Sequence, residues 1–241
     1  MIAVLRRVYR SILDAAIPER RAVRGFIRDA LDGNSARYAV DLGAGASPYR
    51  RAMARALPGA LLIATDLQFR DTDLVADAAR LPFADSSIDF VSAYQLLQTT
   101  NPRAVLQEIR RVLRPGGQCL LMCPFLSASY APSDKYRWST AGLDQLAREA
   151  DLSPIASRRV GGFFLTFFGL LAQSVSIPAV GWTAESARKP ATLLFLKYVW
   201  NIAISLPFHL LGQIALAIDS CLPPSRFYIG SMILAQKAGH V

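Results

Sequence analysis

The chain has 241 residues, 52% hydrophobic and only 19% charged, with a mean hydropathy of +0.27. That composition excludes intrinsic disorder, which needs low hydrophobicity and high charge, and three cysteines are too few for a disulfide scaffold. The net charge of +9 permits nucleic acid or an anionic membrane as partner, but eleven arginines crowd residues 1–59 and no stretch interleaves basic residues with aromatics, so nucleic acid is not expected.

Residues 2–17 set Ile2, Leu5, Val8, Tyr9, Ile12, Leu13, Ala16 and Ile17 at helical spacing, with Arg6, Arg7 and Arg10 between them. This is a basic amphipathic helix that covers the core or lies on a membrane surface, and it opens an N-terminal amphipathic helical region over 1–35. No long apolar run follows the arginines, so a signal peptide is not expected. From residue 38 short apolar runs alternate with helical stretches. Strands are expected over 38–42, 60–66, 74–76, 88–93 and 118–123, and helices over 48–57, 102–113 and 139–150. Pro115-Gly116-Gly117 is read as the stop between the 102–113 helix and the fifth strand. Further strands at 155–160 and 228–236 complete a doubly wound, seven-stranded α/β sheet in one domain spanning 1–241, with an apolar helical insertion over 161–226 before the last strand. The separated His209 and His240, and the lack of a Cys-x-x-Cys pair, predict no metal site.

Val40-Asp41-Leu42-Gly43-Ala44-Gly45-Ala46-Ser47 closes the first strand. Small residues there let backbone amides approach a ligand, and the following helix N-terminus adds a favourable dipole. Asp66 ends the second strand, placed to accept hydrogen bonds from both hydroxyls of a ribose. Turn and acid together mark an adenosine-containing ligand. A nicotinamide dinucleotide fits less well, since the third glycine of that fingerprint is replaced by Pro48. Nor does it account for Asp41, an acid inside the strand that can reach a ligand's cationic amino group.

Four segments in order carry a resemblance. AVDLGAGASPYR (39–50), IATD (63–66), VADAARLPFADSSIDFVSAYQLLQ (75–98) and EIRRVLRPGG (108–117) are similar to the motifs of class I S-adenosylmethionine-dependent methyltransferases over roughly residues 36–160. The resemblance implies a Rossmann-like fold and S-adenosyl-L-methionine as cofactor. It implies that Gly43, Ala44 and Gly45 line the methionine moiety and that Asp41 sits near its amino group. Asp66 would bind the ribose, with Leu67 packing on the adenine. Asp77 would accept from the adenine amino group, with Ala78 donating a backbone amide. Tyr94 and Gln95 would border the reacting methyl. Ser47 stands where the family has a further glycine.

Methyl transfer to a hydroxyl gains from a general base. YAPSDKYRW (130–138) resembles a segment of related bacterial methyltransferases that covers the substrate mouth. It carries no histidine, which leaves Tyr130, Asp134 and Tyr136 as the candidate catalytic residues. Residues 160–182 carry no charge and 191–218 only Lys197 besides polar breaks. That insertion would dip into one leaflet, form a transmembrane hairpin, or serve as a soluble lid or homodimer surface. The expectation is a cytoplasmic enzyme, peripheral on the inner face of the cell membrane, methylating a hydrophobic or lipid-linked acceptor. A soluble small-molecule or glycan O-methyltransferase and an inactive cofactor-binding scaffold are the alternatives.

Overall fold

A computed structural model describes residues 17–68, 72–129, 132–175, 200, 203–204 and 206–239. Residues 2–16 of the helix expected over 2–17, Tyr130 and His240 therefore lie outside the described residues, as does the stretch 176–199 within the apolar segment.

Helix α1 (Pro18–Ala30) starts with proline in its first turn, where a missing N–H costs nothing, followed by Glu19 against the positive end of the helix dipole. Val23, Phe26 and Ile27 form its buried stripe. Strands and helices then alternate: β1 (Tyr38–Leu42), α2 (Arg50–Ala56), β2 (Leu61–Asp66), β3 (Leu74–Val75), β4 (Ile88–Tyr94), a 3-10 turn (Leu97–Thr99), α3 (Pro102–Val112) and β5 (Leu113–Pro124). Helix α3 is capped by the Asn101 side chain on the Ala104 N–H and presents Val105, Leu106, Ile109 and Val112 to the core. Helix α4 (Thr140–Arg148), capped by Ser139 on the Gly142 N–H, precedes β6 (Leu152–Val160). Helices α5 (Phe163–Val175) and α6 (Leu206–Ser220) follow, and β7 (Gly230–Lys237) closes the chain order.

The seven strands make one sheet in the order β3-β2-β1-β4-β5-β7-β6. The pairs β1–β2, β1–β4, β2–β3 and β4–β5 are parallel and β5–β7 is antiparallel, so the sheet is mixed. The strand order turns around at β1 and β4. A doubly wound sheet opens a crevice outside the strand ends at such a place.

Most boundaries fall within three residues of the sequence expectation, the sixth strand starting at Leu152 instead of 155, and the fifth strand differs most. Pro115-Gly116-Gly117 does not delay the fifth strand to residue 118, since β5 already begins at Leu113 and absorbs the three residues as a bulge. Ile88 pairs with Leu113 and Phe90 with Gln118. Gly116 takes φ +77, and a Cβ on Gly117 would stand 2.9 Å from the Arg114 carbonyl oxygen, so the bulge requires glycine there.

The described chain groups into two compact units. One holds 23–125, 135–159 and 230–241, with the sheet, α2, α3, α4 and a core of large apolar side chains such as Phe90, Leu106, Ile109, Leu120 and Leu121. The other holds 1–22, 126–134 and 160–229, with α5 and α6 packed on each other.

Candidate active site

The site is built on three neighbouring strands. Asp41 on β1 pairs in register with Ala64 on β2 and Ser92 on β4. Alternation along a strand puts Asp66 and Tyr94, each two residues further on, on that same face. The Ser92 hydroxyl donates to Asp41 Oδ1 at 2.7 Å. Burial pushes the Asp41 carboxyl up to about 6, against the pull of the Ser92 hydrogen bond and the positive charge of Arg50.

The turn after β1 has a backbone that few residues tolerate. Gly43 (φ +61) and Gly45 (φ +52) occupy the left-handed region, and Ser47 joins them at φ +47. A Cβ on Gly43 would come within 2.7 Å of Leu96 Cδ1, whereas one on Gly45 would meet nothing within 4 Å. Gly43 is thus wedged against the loop after β4, and Gly45 faces open space. The Ala44 N–H donates to the Thr65 carbonyl at 2.9 Å and the Gly45 N–H to Asp66 Oδ2 at 3.0 Å. The other Asp66 oxygen accepts the Gln68 N–H at 2.8 Å. Asp66 therefore ties the turn after β1 to the end of β2. Leu67 beside it is 62% exposed, an uncovered apolar surface at the strand end.

Arg50, the first residue of α2, donates to Asp73 Oδ2 at 2.6 Å and to the Leu62 carbonyl at 3.1 Å. Asp73 also accepts the Ala64 N–H, and these two donors hold its carboxyl below the usual range. Asp77 accepts the Ala79 N–H at 2.9 Å and Ala78 is buried, so the acid closes a turn after β3.

At the end of β4 the Tyr94 hydroxyl contacts Met53 Sδ at 3.2 Å, and its ring packs on Tyr49 with centroids 4.4 Å apart. Its pKa is held well above the tyrosine range by burial first, then by the Asp41 charge and Tyr49. Tyr94 is thus a buried wall. Gln95 takes φ +51, a strained backbone for a residue with a side chain, at the mouth of the site. Its carbonyl accepts the Gln98 amide at 2.8 Å, and the Gln98 carbonyl accepts the Lys135 N–H at 2.8 Å. That second bond joins the segment before α4 to the loop after β4. Tyr136 there is exposed and pairs with Trp138 at 5.3 Å. Asp134 is half-buried and belongs to the other compact unit. Cys119 and Cys123 are buried, and burial pushes the Cys119 thiol up to about 12, so neither is a nucleophile.

The structure therefore brings Asp41, Gly43, Ala44, Gly45, Asp66, Tyr94 and Gln95 to one end of β1, β2 and β4. Sequence reading missed Ser92, Leu96, Arg50 and Gln98. Ser92 stands out as a small polar residue inside a largely apolar strand, but its pairing with Asp41 has no signal in the sequence. The wedge of Leu96 on Gly43 had no signal, because it depends on how β4 leaves the sheet.

Residues 40–121 match the family model described as "Methyltransferase domain". Malonyl-(acyl-carrier protein) O-methyltransferase from Alcanivorax borkumensis is 32% identical over 132 residues, which are 49% of this chain and 45% of the relative. Demethylmenaquinone methyltransferase from Mycobacterium tuberculosis is 31% identical over 119 residues, 48% of this chain and 50% of the relative. The chain thus spans about half the length of the curated relatives it matches. Among solved structures, the 4+2 cyclase SpnF superposes with TM-score 0.56 at 17% identity, covering 92% of this chain and 81% of that one. The 1,6-didemethyltoxoflavin-N1-methyltransferase of Burkholderia thailandensis, bound to its substrate and S-adenosylhomocysteine, superposes with TM-score 0.52 at 16% identity, covering 92% and 78%. The strand order, the glycine turn tied to Asp66 and the family match over residues 40–121 agree in their similarity to a class I, S-adenosylmethionine-dependent methyltransferase domain.

Proposed function

We propose that the protein transfers a methyl group from S-adenosyl-L-methionine to a hydroxyl of a hydrophobic or lipid-linked acceptor, at the cytoplasmic face of the membrane. The observation that carries the reading is the Gly45–Asp66 tie beside the Asp41–Ser92 pair. The residues present fit the cofactor. The open space over Gly45 admits a ligand against bare backbone. Asp66, on the last residue of β2, presents its carboxylate to a ribose, and Leu67 offers apolar surface to an adenine. Asp41 supplies negative charge for the methionine ammonium. Asp77 and the Ala78 amide are the partners for the adenine edge, and Tyr94 and Gln95 wall the methyl end.

The bound cofactor supplies an electrophilic methyl already activated by its sulfonium. The chain's own part is alignment of the acceptor with the carbon–sulfur bond, which is worth several kcal/mol without any covalent step (~7 or more at best). The hydroxyl proton leaves to a base in the segment before α4, where Tyr130, Asp134 and Tyr136 are the candidates. A hydrophobic acceptor agrees with the apolar character of 160–222. The names of two relatives, one acting on malonyl-acyl-carrier protein and one on demethylmenaquinone, support a lipid-like substrate class.

Calorimetric titration with S-adenosylmethionine tests the reading. Saturable binding is expected, weakened by Asp66→Ala. Absence of binding at near-millimolar cofactor would sink the enzyme assignment. Methyl-labelled cofactor incubated with a membrane lipid extract should then give a labelled, organic-soluble product.

A further inference from the structure

Helices α5 and α6 are arranged in the reverse sense for a helix pair in water. A water-facing helix turns its apolar stripe inward and leaves a polar face outside. Here the exposed positions include Phe163, Phe167 and Leu170 on α5, and Leu210, Leu211, Ile214 and Ile218 on α6, beside the smaller Ser174, Pro207, Ala217 and Ser220. The buried positions are mostly small, with Gly169 and Ala172 beside Leu165 and Thr166 on α5, and Gly212 and Ala215 on α6. A Cβ on Gly169 would stand 2.7 Å from Ile229 Cδ1, and one on Gly212 2.8 Å from Pro18 Cγ, so both approaches are close enough to favour glycine. Small residues inward with bulky ones outward is how helices pack when their surroundings are as apolar as their own side chains. The single charged residue on the two helices, Asp219, is consumed internally. It accepts the N–H groups of Gly162, Phe164 and Leu165 at 2.9, 3.2 and 2.8 Å, capping α5 from the end of α6.

We propose that the outward face of α5 and α6 is a lipid-docking surface that enters one leaflet of an anionic bilayer. At 1.5 Å per residue, the described spans of 13 and 15 residues cover ~20 and ~22 Å of a ~30 Å hydrocarbon core. Among the described residues no helix is long and apolar enough to span a membrane. Charge favours lipid over a second copy. Arg226 is exposed and precedes Phe227, whose ring packs edge-on against Phe163 of the exposed face with centroids 5.7 Å apart. A two-fold dimer sets identical patches face to face and brings the arginines of both copies together. An anionic headgroup layer neutralises them instead. Trp200 adds an amphipathic ring to the same unit, exposed while its Nε1 donates to the Val175 carbonyl at 2.9 Å. The surface goes beyond the methyl-transfer reading and does not depend on it.

The test is flotation of the full-length protein on a density gradient, with vesicles of phosphatidylcholine alone or with added phosphatidylglycerol. The comparison is the double variant Leu211→Gln/Ile214→Gln, whose fold is checked by circular dichroism. Both side chains are exposed. The wild type is expected to float with the anionic vesicles, less well with neutral ones or at high salt, and the double variant about tenfold less. Wild type that stays at the bottom with both vesicle types, or a variant that floats equally well, overturns the proposal. So does a wild-type dimer, seen by sedimentation and split by the double variant, in a protein that never floats, since the face then belongs to a second copy. Cofactor titration on the same preparations keeps the two ideas apart. Flotation without cofactor binding removes the methyl-transfer reading and leaves the lipid surface standing.

Discussion

The sheet-bearing unit and the α5–α6 unit use apolar residues in opposite ways. In the first, Phe90, Leu106, Ile109, Leu120 and Leu121 are fully buried, and charged side chains such as Arg103 and Glu149 pair outside. On the two helices of the second, glycine and alanine take four of the six buried positions, beside Leu165 and Thr166, while Phe163, Phe167, Leu210, Leu211, Ile214 and Ile218 face out. Chain-averaged hydropathy merges the two patterns. What separates them is the size of the side chains on each helix face, because a core fills space with bulk, whereas helices in an apolar medium gain most from close backbone approach. The fold neighbours add a second lesson. A chain named as a cyclase superposes as well as one named as a methyltransferase, so the site and not the sheet must carry the argument for activity.

The largest expected effect on cofactor binding breaks the sheet unit at its site. Gly43→Val places a β-branched residue at φ +61 with its Cβ against Leu96. The turn must move, and cofactor affinity should fall about a hundredfold, roughly 2.7 kcal/mol, read by calorimetry. Next in size is Gly212→Leu, which drives bulk into the position occupied against Pro18. Overpacking of this kind costs about 1–3 kcal/mol in chemical denaturation, and a neutral result would mean that α6 does not need its small inward face.

A smaller effect follows from Asp41, whose carboxyl burial lifts to about 6. A folded-state value above the unfolded one of ~3.9 favours the protonated form. The ligand-free protein is therefore most stabilised by this group below pH ~4, and loses that contribution as pH rises through 6. Binding of the methionine ammonium runs the other way, since it needs the carboxylate. Between pH 7 and 5 cofactor affinity should drop about tenfold, and Asp41→Asn should flatten the profile at the lower level. A pH-independent wild type would show that Asp41 does not face the ammonium.

Much of the sheet unit was legible because β1, β2 and β4 are short, mostly apolar runs that end at turn residues, and α3 carries a single apolar stripe. The glycine turn and Asp66 were legible for the same reason, since they sit where runs end. Ser92 under Asp41 was not, because the 51 residues between them conceal the register that pairs β1 with β4. The bulge at Pro115-Gly116-Gly117 was hidden because the same three residues serve equally as a helix stop. In α5 and α6 apolar residues occur on every side and the polar ones do not gather on one face, so periodicity could not say which face turns inward. Only Gly169, Ala172, Gly212 and Ala215, three apart on each helix, held that information.

The smallest expected effect sharpens the comparison most. Ile214 is 60% exposed, so Ile214→Gln removes little packing and should change unfolding free energy by no more than about 0.5 kcal/mol. The same replacement inside the sheet unit, at the fully buried Ile109, removes a core side chain and strands a polar amide, costing several kcal/mol (~3–5). The contrast is between two isoleucines of one chain under one denaturant. A substantial cost at Ile214 would mean that the face is covered by protein, and the inverted packing of α5 and α6 would then need a protein partner as its cause. A negligible cost, combined with loss of vesicle binding, leaves the apolar surroundings outside the molecule as the only medium those side chains are shaped for.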